Sequence, residues 1–176
     1  MEEKIIMKEG VKYTGVPSVG ELNNCTGIPS QERMAKGPVA FIECVQCIPC
    51  NPCEMACPTK AISIGEPITN IPILDEDRCT GCGDCIAHCP GHAISVINKA
   101  YGNGKATMDF PFEYYPLPKV GDIVEAVDRY GQTSCDAKVL SVCVRSENNG
   151  TNVIRIEYPL SMSGNVKSIR HLKAEV

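Results

Sequence analysis

The chain has 176 residues, a formal net charge of −4 and a pI near 5.4. This acidity argues against nucleic acid as a partner, because phosphate binding depends on clustered Lys and Arg side chains. No apolar run approaches the roughly 20 residues that a membrane-spanning helix needs, so no membrane span is expected.

The twelve cysteines are predicted to be reduced or metal-bound rather than joined in disulfides. The first ten residues mix charges and contain no continuous apolar segment, so no signal peptide is expected and the protein is predicted to be cytoplasmic. In a cytoplasmic protein, grouped cysteines are more often metal ligands than disulfide partners.

Residues 1–38 are predicted to form an extended N-terminal arm. Glycines and prolines interrupt this segment throughout, and it shows little apolar periodicity. Its single cysteine, Cys25, is predicted to be a reduced surface thiol rather than a metal ligand. Because such a segment has little to bury by itself, we expect it to dock on a larger partner subunit, with docking on its own core as the alternative.

Residues 39–100 contain an internal repeat at an offset of 32 residues. Residues 47–64 return as residues 79–96, with four cysteines, the following proline and an Ala-Ile-Ser segment in register. Each repeat is predicted to form a cysteine loop, a short helical turn running into Cys-Pro, and then a strand. The predicted strand pairs are 39–42 with 94–97, and 62–64 with 71–74.

The cysteine spacing in each repeat is C-x2-C-x2-C-x3-C-P, the bacterial arrangement that binds [4Fe–4S] clusters. Three closely spaced thiolates surround one cluster, whereas the fourth follows a helical turn and faces the other cluster. Two [4Fe–4S] clusters are therefore the predicted cofactors. On this rule cluster I takes Cys47, Cys50, Cys53 and Cys89, and cluster II takes Cys79, Cys82, Cys85 and Cys57.

The residues beside the cysteines are consistent with this geometry. Gly83 follows the second cysteine of its motif, where a positive φ suits the turn. Asn51 occupies the same place in the first repeat, and Asn tolerates the left-handed conformation. The small side chains of Ala61 and Ala93 would let the backbone approach a cluster closely.

Alternatives to this ligand set remain open on the sequence. Cys44 lies three residues before Cys47 and could replace it through a longer loop, or could be buried at the end of a strand. Structural zinc is disfavoured, because zinc typically binds two separated C-x2-C pairs and needs no Cys-Pro. His88 and His92 flank Cys89, but no cysteine is missing from the set, so both are predicted to lie outside it.

Residues 101–118 are predicted to form a linker because Gly and Pro punctuate them, and residues 119–176 a small antiparallel β domain. Cys135 and Cys143 lie in this domain without ligand spacing and are predicted to be buried or half-buried structural thiols. Gly and Asn turns join the predicted strands into a meander, which residues 165–172 could close into a barrel. The predicted strands are 122–127, 137–144 and 152–157.

The repeat resembles that of bacterial two-cluster ferredoxins, over about a third of the chain. This resemblance implies a pseudo-twofold (βαβ)2 fold that carries single electrons at low potential. The predicted fold class is α+β, a ferredoxin-type two-cluster domain with an extended N-terminal arm and a small C-terminal antiparallel β domain.

Three longer segments carry a narrower resemblance: Gly37–Cys44 (GPVAFIEC), Ile48–Glu54 (IPCNPCE) and Tyr115–Asp122 (YPLPKVGD). They resemble small iron–sulfur subunits that accompany FAD-dependent amino-acid dehydrogenases of the proline, hydroxyproline and sarcosine type in anaerobes. The resemblance implies an FAD-containing oxidoreductase partner in a hetero-oligomeric complex, and in that pattern Cys44 has a counterpart.

The predicted function is electron transfer as a subunit of a multi-subunit flavin-dependent oxidoreductase, not catalysis by this chain alone. The sequence contains no nucleotide motif and no flavin-binding glycine-rich turn. The roughly 110 residues outside the cysteine repeat exceed what a free carrier requires. Two alternatives remain: a freely diffusing low-potential ferredoxin, and an iron–sulfur redox sensor or assembly protein, which the lack of a basic patch disfavours.

Overall fold

The computed structural model describes residues 8–144, 148 and 150–172, so the start of the predicted arm and part of the predicted turn at 147–150 lie outside the described residues. Within those residues the fold combines short helices with a large antiparallel sheet and a two-stranded sheet. No described helix has the length and apolar character that crossing a bilayer requires. The helices are α1 (Val11–Thr14), α2 (Val19–Asn23), α3 (Gln31–Met34), α4 (Pro52–Ala56) and α5 (Asp84–His88). The strands are β1 (Val39–Ile42), β2 (Ile62–Ser63), β3 (Ile73–Leu74), β4 (Ile94–Gly102), β5 (Lys105–Phe112), β6 (Ile123–Val127), β7 (Thr133–Cys143), β8 (Asn152–Pro159) and β9 (Ser168–Ile169).

Three short helices stand where the sequence predicted an extended arm. Ser18 begins α2 through a capping box, in which its hydroxyl accepts from the Glu21 amide at 3.2 Å and the Glu21 carboxylate accepts from the Ser18 amide at 2.7 Å. Ser30 caps α3 by accepting from the Arg33 amide at 3.1 Å. The expectation of an extended arm is wrong because these side-chain caps stabilise helices too short to show apolar periodicity.

The arm docks on the cysteine repeats of its own chain. The Ile42 amide donates to the Gly27 carbonyl at 3.0 Å, and a Cβ at Gly27 would lie 2.6 Å from the Ile42 Cβ. The Arg33 guanidinium donates to the carbonyls of Glu76 at 2.8 Å and Cys79 at 2.7 Å. The arm therefore satisfies backbone groups of the second cysteine loop and packs against β1.

The strand pairs predicted around the repeats are confirmed. Strand β1 is antiparallel to β4, with Val39 opposite Ile97, and β2 forms a hairpin with β3. Strand β4 alternates between two cores: Ile94 and Val96 pack among residues of the cysteine loops, whereas Ile97 faces the core of the large sheet. One strand thus joins the cysteine repeats to the rest of the fold.

A strand, β5, occupies residues 105–112 of the segment that was predicted to be a linker. It pairs with β4 on one side and with β8 on the other. Asn103 and Gly104 have φ values of 54° and 69°, the positive values that a tight Asn-Gly hairpin turn requires. The linker prediction is wrong because the glycines that suggested it form this turn between β4 and β5.

The predicted meander is confirmed, since β6, β7 and β8 pair in antiparallel order. The short strand β9 adds to β6, and the order in the sheet is β1-β4-β5-β8-β7-β6-β9. Among the described residues the edge strands β1 and β9 do not pair with each other, but Lys167, just before β9, reaches Glu43, just after β1. The sheet therefore curls strongly without closing into a barrel.

Candidate metal centres

The cysteine repeats enclose two cavities, each lined by four thiols. In each cavity, the last cysteine of one motif joins cysteines of the other motif. The thiols of the first cavity, chamber I, are Cys44, Cys50, Cys53 and Cys89. The thiols of the second cavity, chamber II, are Cys57, Cys79, Cys82 and Cys85.

This exchange follows from the way in which the two short helices end. Cys57 and Cys89 are the C-cap residues that follow α4 and α5, and both have the same extended backbone, with ψ at 108°. Because Cys57 and Cys89 are extended rather than helical, each directs its side chain away from the cysteine loop that precedes its helix. The proline that follows each cysteine favours this extended conformation.

The backbone then bends back so that an amide points at the sulfur of the same cysteine. Lys60 and His92, each three residues after its cysteine, have positive φ values of 52° and 51°. The next amide donates to the sulfur, at 3.2 Å from Ala61 and at 3.4 Å from Ala93. Amide–sulfur hydrogen bonds stabilise a thiolate and influence the reduction potential of a bound cluster.

Chamber II has further donors. The Ala40 amide of β1 lies 3.4 Å from the Cys79 sulfur, and the Thr59 hydroxyl oxygen lies 3.6 Å from the Cys57 sulfur. Burial raises the pKa of the Cys57 thiol, but the hydrogen bonds from Thr59 and from the amides of Ala61 and Ile62 outweigh it, so the pKa is lowered. Cys57 is therefore disposed to act as a thiolate.

Two residues that the sequence analysis did not single out shape chamber II. Besides Ala40, Gly81 lies between the first two cysteines of the second motif and has a φ of 69°. A Cβ at Gly81 would lie 2.6 Å from the Pro38 carbonyl oxygen, so the loop can approach β1 only with glycine here. The position of Gly81 inside a cysteine loop is visible in the sequence. Its contact with Pro38 is not, because that contact depends on the tertiary fold.

The most deeply buried thiols have raised pKa values. Burial, reinforced by the neighbouring Cys89, raises the pKa of Cys53 to about 11. Burial, reinforced by Cys79 and Cys82, raises the pKa of Cys85 to about 12. Without a metal these groups hold their protons near neutral pH, and iron must displace those protons to bind.

We therefore expect iron–sulfur insertion into the apoprotein to release protons and to become more favourable as the pH rises from 7 to 9. The sign follows from the raised pKa values, because a higher pH removes part of the cost of deprotonating Cys53 and Cys85. Anaerobic reconstitution with a pH indicator would measure both the iron content and the proton release. A Cys135→Ser control should release the same number of protons, and uptake independent of pH would contradict the prediction.

Cys47 does not lie where the regular spacing predicted it. Its side chain is exposed and is not part of the wall of chamber I, although its neighbours Gln46 and Ile48 are. Cys44, at the end of the segment that follows β1, takes the place that was expected for Cys47. In this loop Gln46 and Ile48 line the chamber, and Cys47 between them is exposed.

The left-handed conformation predicted for Asn51 is also wrong. Gly83 has a φ of 87° as expected, but Asn51 has a φ of −140°. The difference follows from the next residue, since Pro52 restricts Asn51 to negative φ, whereas Asp84 places no such limit on Gly83. The two repeats are therefore alike at their last cysteines and differ in their loops.

The remaining cysteines and histidines lie outside the chambers. Cys25 is buried rather than at the surface as predicted, and its thiol donates to the Ile42 carbonyl at 3.1 Å. Cys135 and Cys143 are half-buried, in agreement with the sequence analysis. His88 and His92 are both exposed, and the His92 Nε2 lies 3.0 Å from a carboxylate oxygen of Glu113.

The thiols of each chamber surround a cavity and do not converge on the position of a single metal ion. In the described part of the chain, no group of three or more His, Cys, Asp or Glu side chains is placed to hold a single metal ion. Four thiols around one cavity are the donor set of a [4Fe–4S] cluster, and the amides directed at sulfur are suited to its thiolates. The residues present therefore fit such a cluster in each chamber.

Residues 46–110 match the family model of the 4Fe-4S dicluster domain. The match spans both cysteine motifs and β4, and it begins after Cys44. No curated protein and no solved structure matches the chain. The match supports 4Fe–4S clusters as cofactors and electron transfer as their role.

Proposed function

We propose that the chain carries electrons through two [4Fe–4S] clusters as the iron–sulfur subunit of a multi-subunit flavin-dependent oxidoreductase of the amino-acid dehydrogenase type. The observation that carries the electron-transfer part is the pair of four-thiol chambers, which exchange one cysteine each across the packed helices α4 and α5. When bound, each cluster accepts and releases one electron.

Four thiolates would hold the cluster in chamber I, with Cys44 in place of Cys47, and the set that the spacing predicted would hold the cluster in chamber II. The burial of Cys53 and Cys85 would exclude water from one side of each cluster. The parallel conformations of Cys57 and Cys89 support a pseudo-twofold (βαβ)2 relation between the repeats. The proposed ligands are Cys44, Cys50, Cys53 and Cys89 for chamber I, and Cys57, Cys79, Cys82 and Cys85 for chamber II.

The crossed arrangement predicts which cluster each cysteine supports. Cys57→Ala should remove the cluster of chamber II although Cys57 belongs to the first motif, and Cys89→Ala should remove that of chamber I. Each variant should retain about four of about eight irons. Electron paramagnetic resonance of the reduced protein would identify the surviving cluster, and loss of the cluster of the mutated motif would contradict the crossing.

Exposed apolar side chains near chamber I support a protein partner. Ile48, in the wall of chamber I, is 48% exposed, and Met55, on α4 two residues after Cys53, is 77% exposed. Apolar groups near a redox centre favour close docking, and close docking shortens the distance over which an electron passes. We place the FAD on the partner, so this chain relays electrons and does not act as a catalyst alone.

Anaerobic purification of the tagged protein from its native host tests both parts of the proposal. We expect about eight irons and eight sulfides per chain, together with an FAD-containing protein that remains bound. About four irons, or stoichiometric zinc, would overturn the two-cluster assignment. A full iron content without a flavoprotein would overturn the subunit assignment and favour a freely diffusing ferredoxin.

A further inference from the structure

Three charged side chains form a half-buried group beside chamber I. A carboxylate oxygen of Glu43 accepts hydrogen bonds from the Arg129 guanidinium and, at 2.9 Å, from the Lys167 ammonium. The side chains of Glu43, Arg129 and Lys167 are 17%, 25% and 12% exposed. Because two cations share one carboxylate, the group carries a formal charge of +1.

This charge group joins the C-terminal part of the chain to the first cysteine loop. Glu43 immediately precedes Cys44, and its amide donates to the Ala93 carbonyl at 2.8 Å. Arg129 lies in the turn between β6 and β7, and Lys167 lies just before β9. Both cations reach Glu43 because the large sheet curls, which brings its two edges together.

The two cations face the proposed ligands of one cluster only. Arg129 and Lys167 line a cavity of about 340 Å³, and three chamber I thiols, those of Cys44, Cys50 and Cys89, lie in the same wall. Neither of these cations lines chamber II, where the Arg33 guanidinium donates instead to the carbonyl of Cys79. Arg129 and Lys167 therefore lie beside proposed ligands of chamber I and not beside those of chamber II.

A cluster with four thiolate ligands is negatively charged, and its reduction adds one more negative charge. A nearby positive charge stabilises the reduced form more than the oxidised form, and so raises the reduction potential. The effect is larger for half-buried charges than for surface charges, because solvent and salt screen them less.

We propose that Arg129 and Lys167 selectively raise the reduction potential of the cluster in chamber I, and that Glu43 limits this effect. The C-terminal strands thereby adjust one of the two clusters electrostatically. This inference rests on the proposed function, because it requires a cluster bound by the thiols of chamber I.

Two variants that change the local charge in opposite directions test the inference. Lys167→Met removes a positive charge and Glu43→Gln removes a negative one. At a fixed potential we expect Lys167→Met to lower the ratio of reduced to oxidised cluster in chamber I about tenfold, a shift of about 59 mV for one electron. Glu43→Gln should shift the same cluster in the opposite direction, and neither variant should move the cluster of chamber II.

The measurement is a redox titration followed by electron paramagnetic resonance, with the two clusters resolved. Lys105→Met is the matched control, because it removes the same charge from a lysine that pairs with Glu157 on the sheet, away from chamber I. If Lys167→Met holds less iron than the native protein, Arg129→Gln compared with Arg129→Lys makes the same test.

Equal shifts of both clusters, a shift in Lys105→Met as large as that in Lys167→Met, or shifts of the same sign in Lys167→Met and Glu43→Gln would overturn the inference. Unchanged potentials in variants that keep eight irons would also overturn it, while leaving electron transfer intact. Failure of the native protein to show two one-electron couples would instead overturn the proposed function.

Discussion

Replacing Cys44 with alanine should remove the cluster of chamber I, whereas the same change at Cys47 should leave both clusters in place. Of these two thiols only that of Cys44 lines chamber I, whereas Cys47 is exposed. We expect the iron content of Cys44→Ala to fall from about eight to about four per chain, with no loss in Cys47→Ala. Iron and sulfide analysis after anaerobic purification would measure the difference.

A third cysteine provides the control for packing. Cys25 is buried next to this loop, and its sulfur lies 3.5 Å from the Cys44 carbonyl oxygen, but it does not line the chamber. Cys25→Ala should therefore keep the full iron content even if it lowers stability. Loss of iron in Cys47→Ala, or equal loss in Cys25→Ala and Cys44→Ala, would contradict the assignment of Cys44 as a ligand.

Removing the metal should unfold the cysteine repeats and leave the large sheet folded. The core of the repeats is small and includes the thiol-bearing Cys53 and Cys85, whereas the core of the sheet contains buried apolar groups such as Phe110, Ile154 and Ile156. Metal binding contributes directly to folding when the ligands form part of a small core. Because β4 belongs to both cores, we expect its cysteine-side end to loosen first.

Hydrogen exchange of the native and the anaerobically chelated protein would test this expectation. Amides of α4, α5 and β1 to β3 should lose most of their protection, whereas those of β5, β7 and β8 should keep theirs. The strands of the sheet serve as the internal control. Unchanged protection throughout, or loss in both parts together, would show that the two cores do not depend on the metal in the way that their composition indicates.

The cysteine repeat could be interpreted from the sequence because its information is local. A spacing of three or four residues determines which thiols are neighbours along a loop, and the segment after each repeat has the alternating apolar pattern of a strand. The same applies to the pairing of β1 with β4 and of β2 with β3, since turn residues and apolar runs mark both.

Predictions from local pattern are wrong where a neighbouring residue or a helix cap determines the conformation. Pro52 keeps Asn51 out of the left-handed region, and Ser18 and Ser30 begin helices in a segment that lacks periodicity. The Asn-Gly turn at residues 103–104 is a hairpin sequence, but the glycines around it suggested a linker. The proline, the capping serines and the Asn-Gly turn are all visible in the sequence. The Gly and Pro content of the surrounding segments nevertheless favoured an arm and a linker.

The thiol-rich metal chemistry, the duplicated repeat and most of the strand partners could be predicted from residue order alone. The folded chain was needed to learn that Cys44, and not Cys47, lines chamber I, and that Arg129 and Lys167 contact Glu43. Those contacts join residues 86 and 124 positions apart along the chain. Spacing along a chain fixes how far apart two side chains can be, but the curl of the sheet decides which of them face each other.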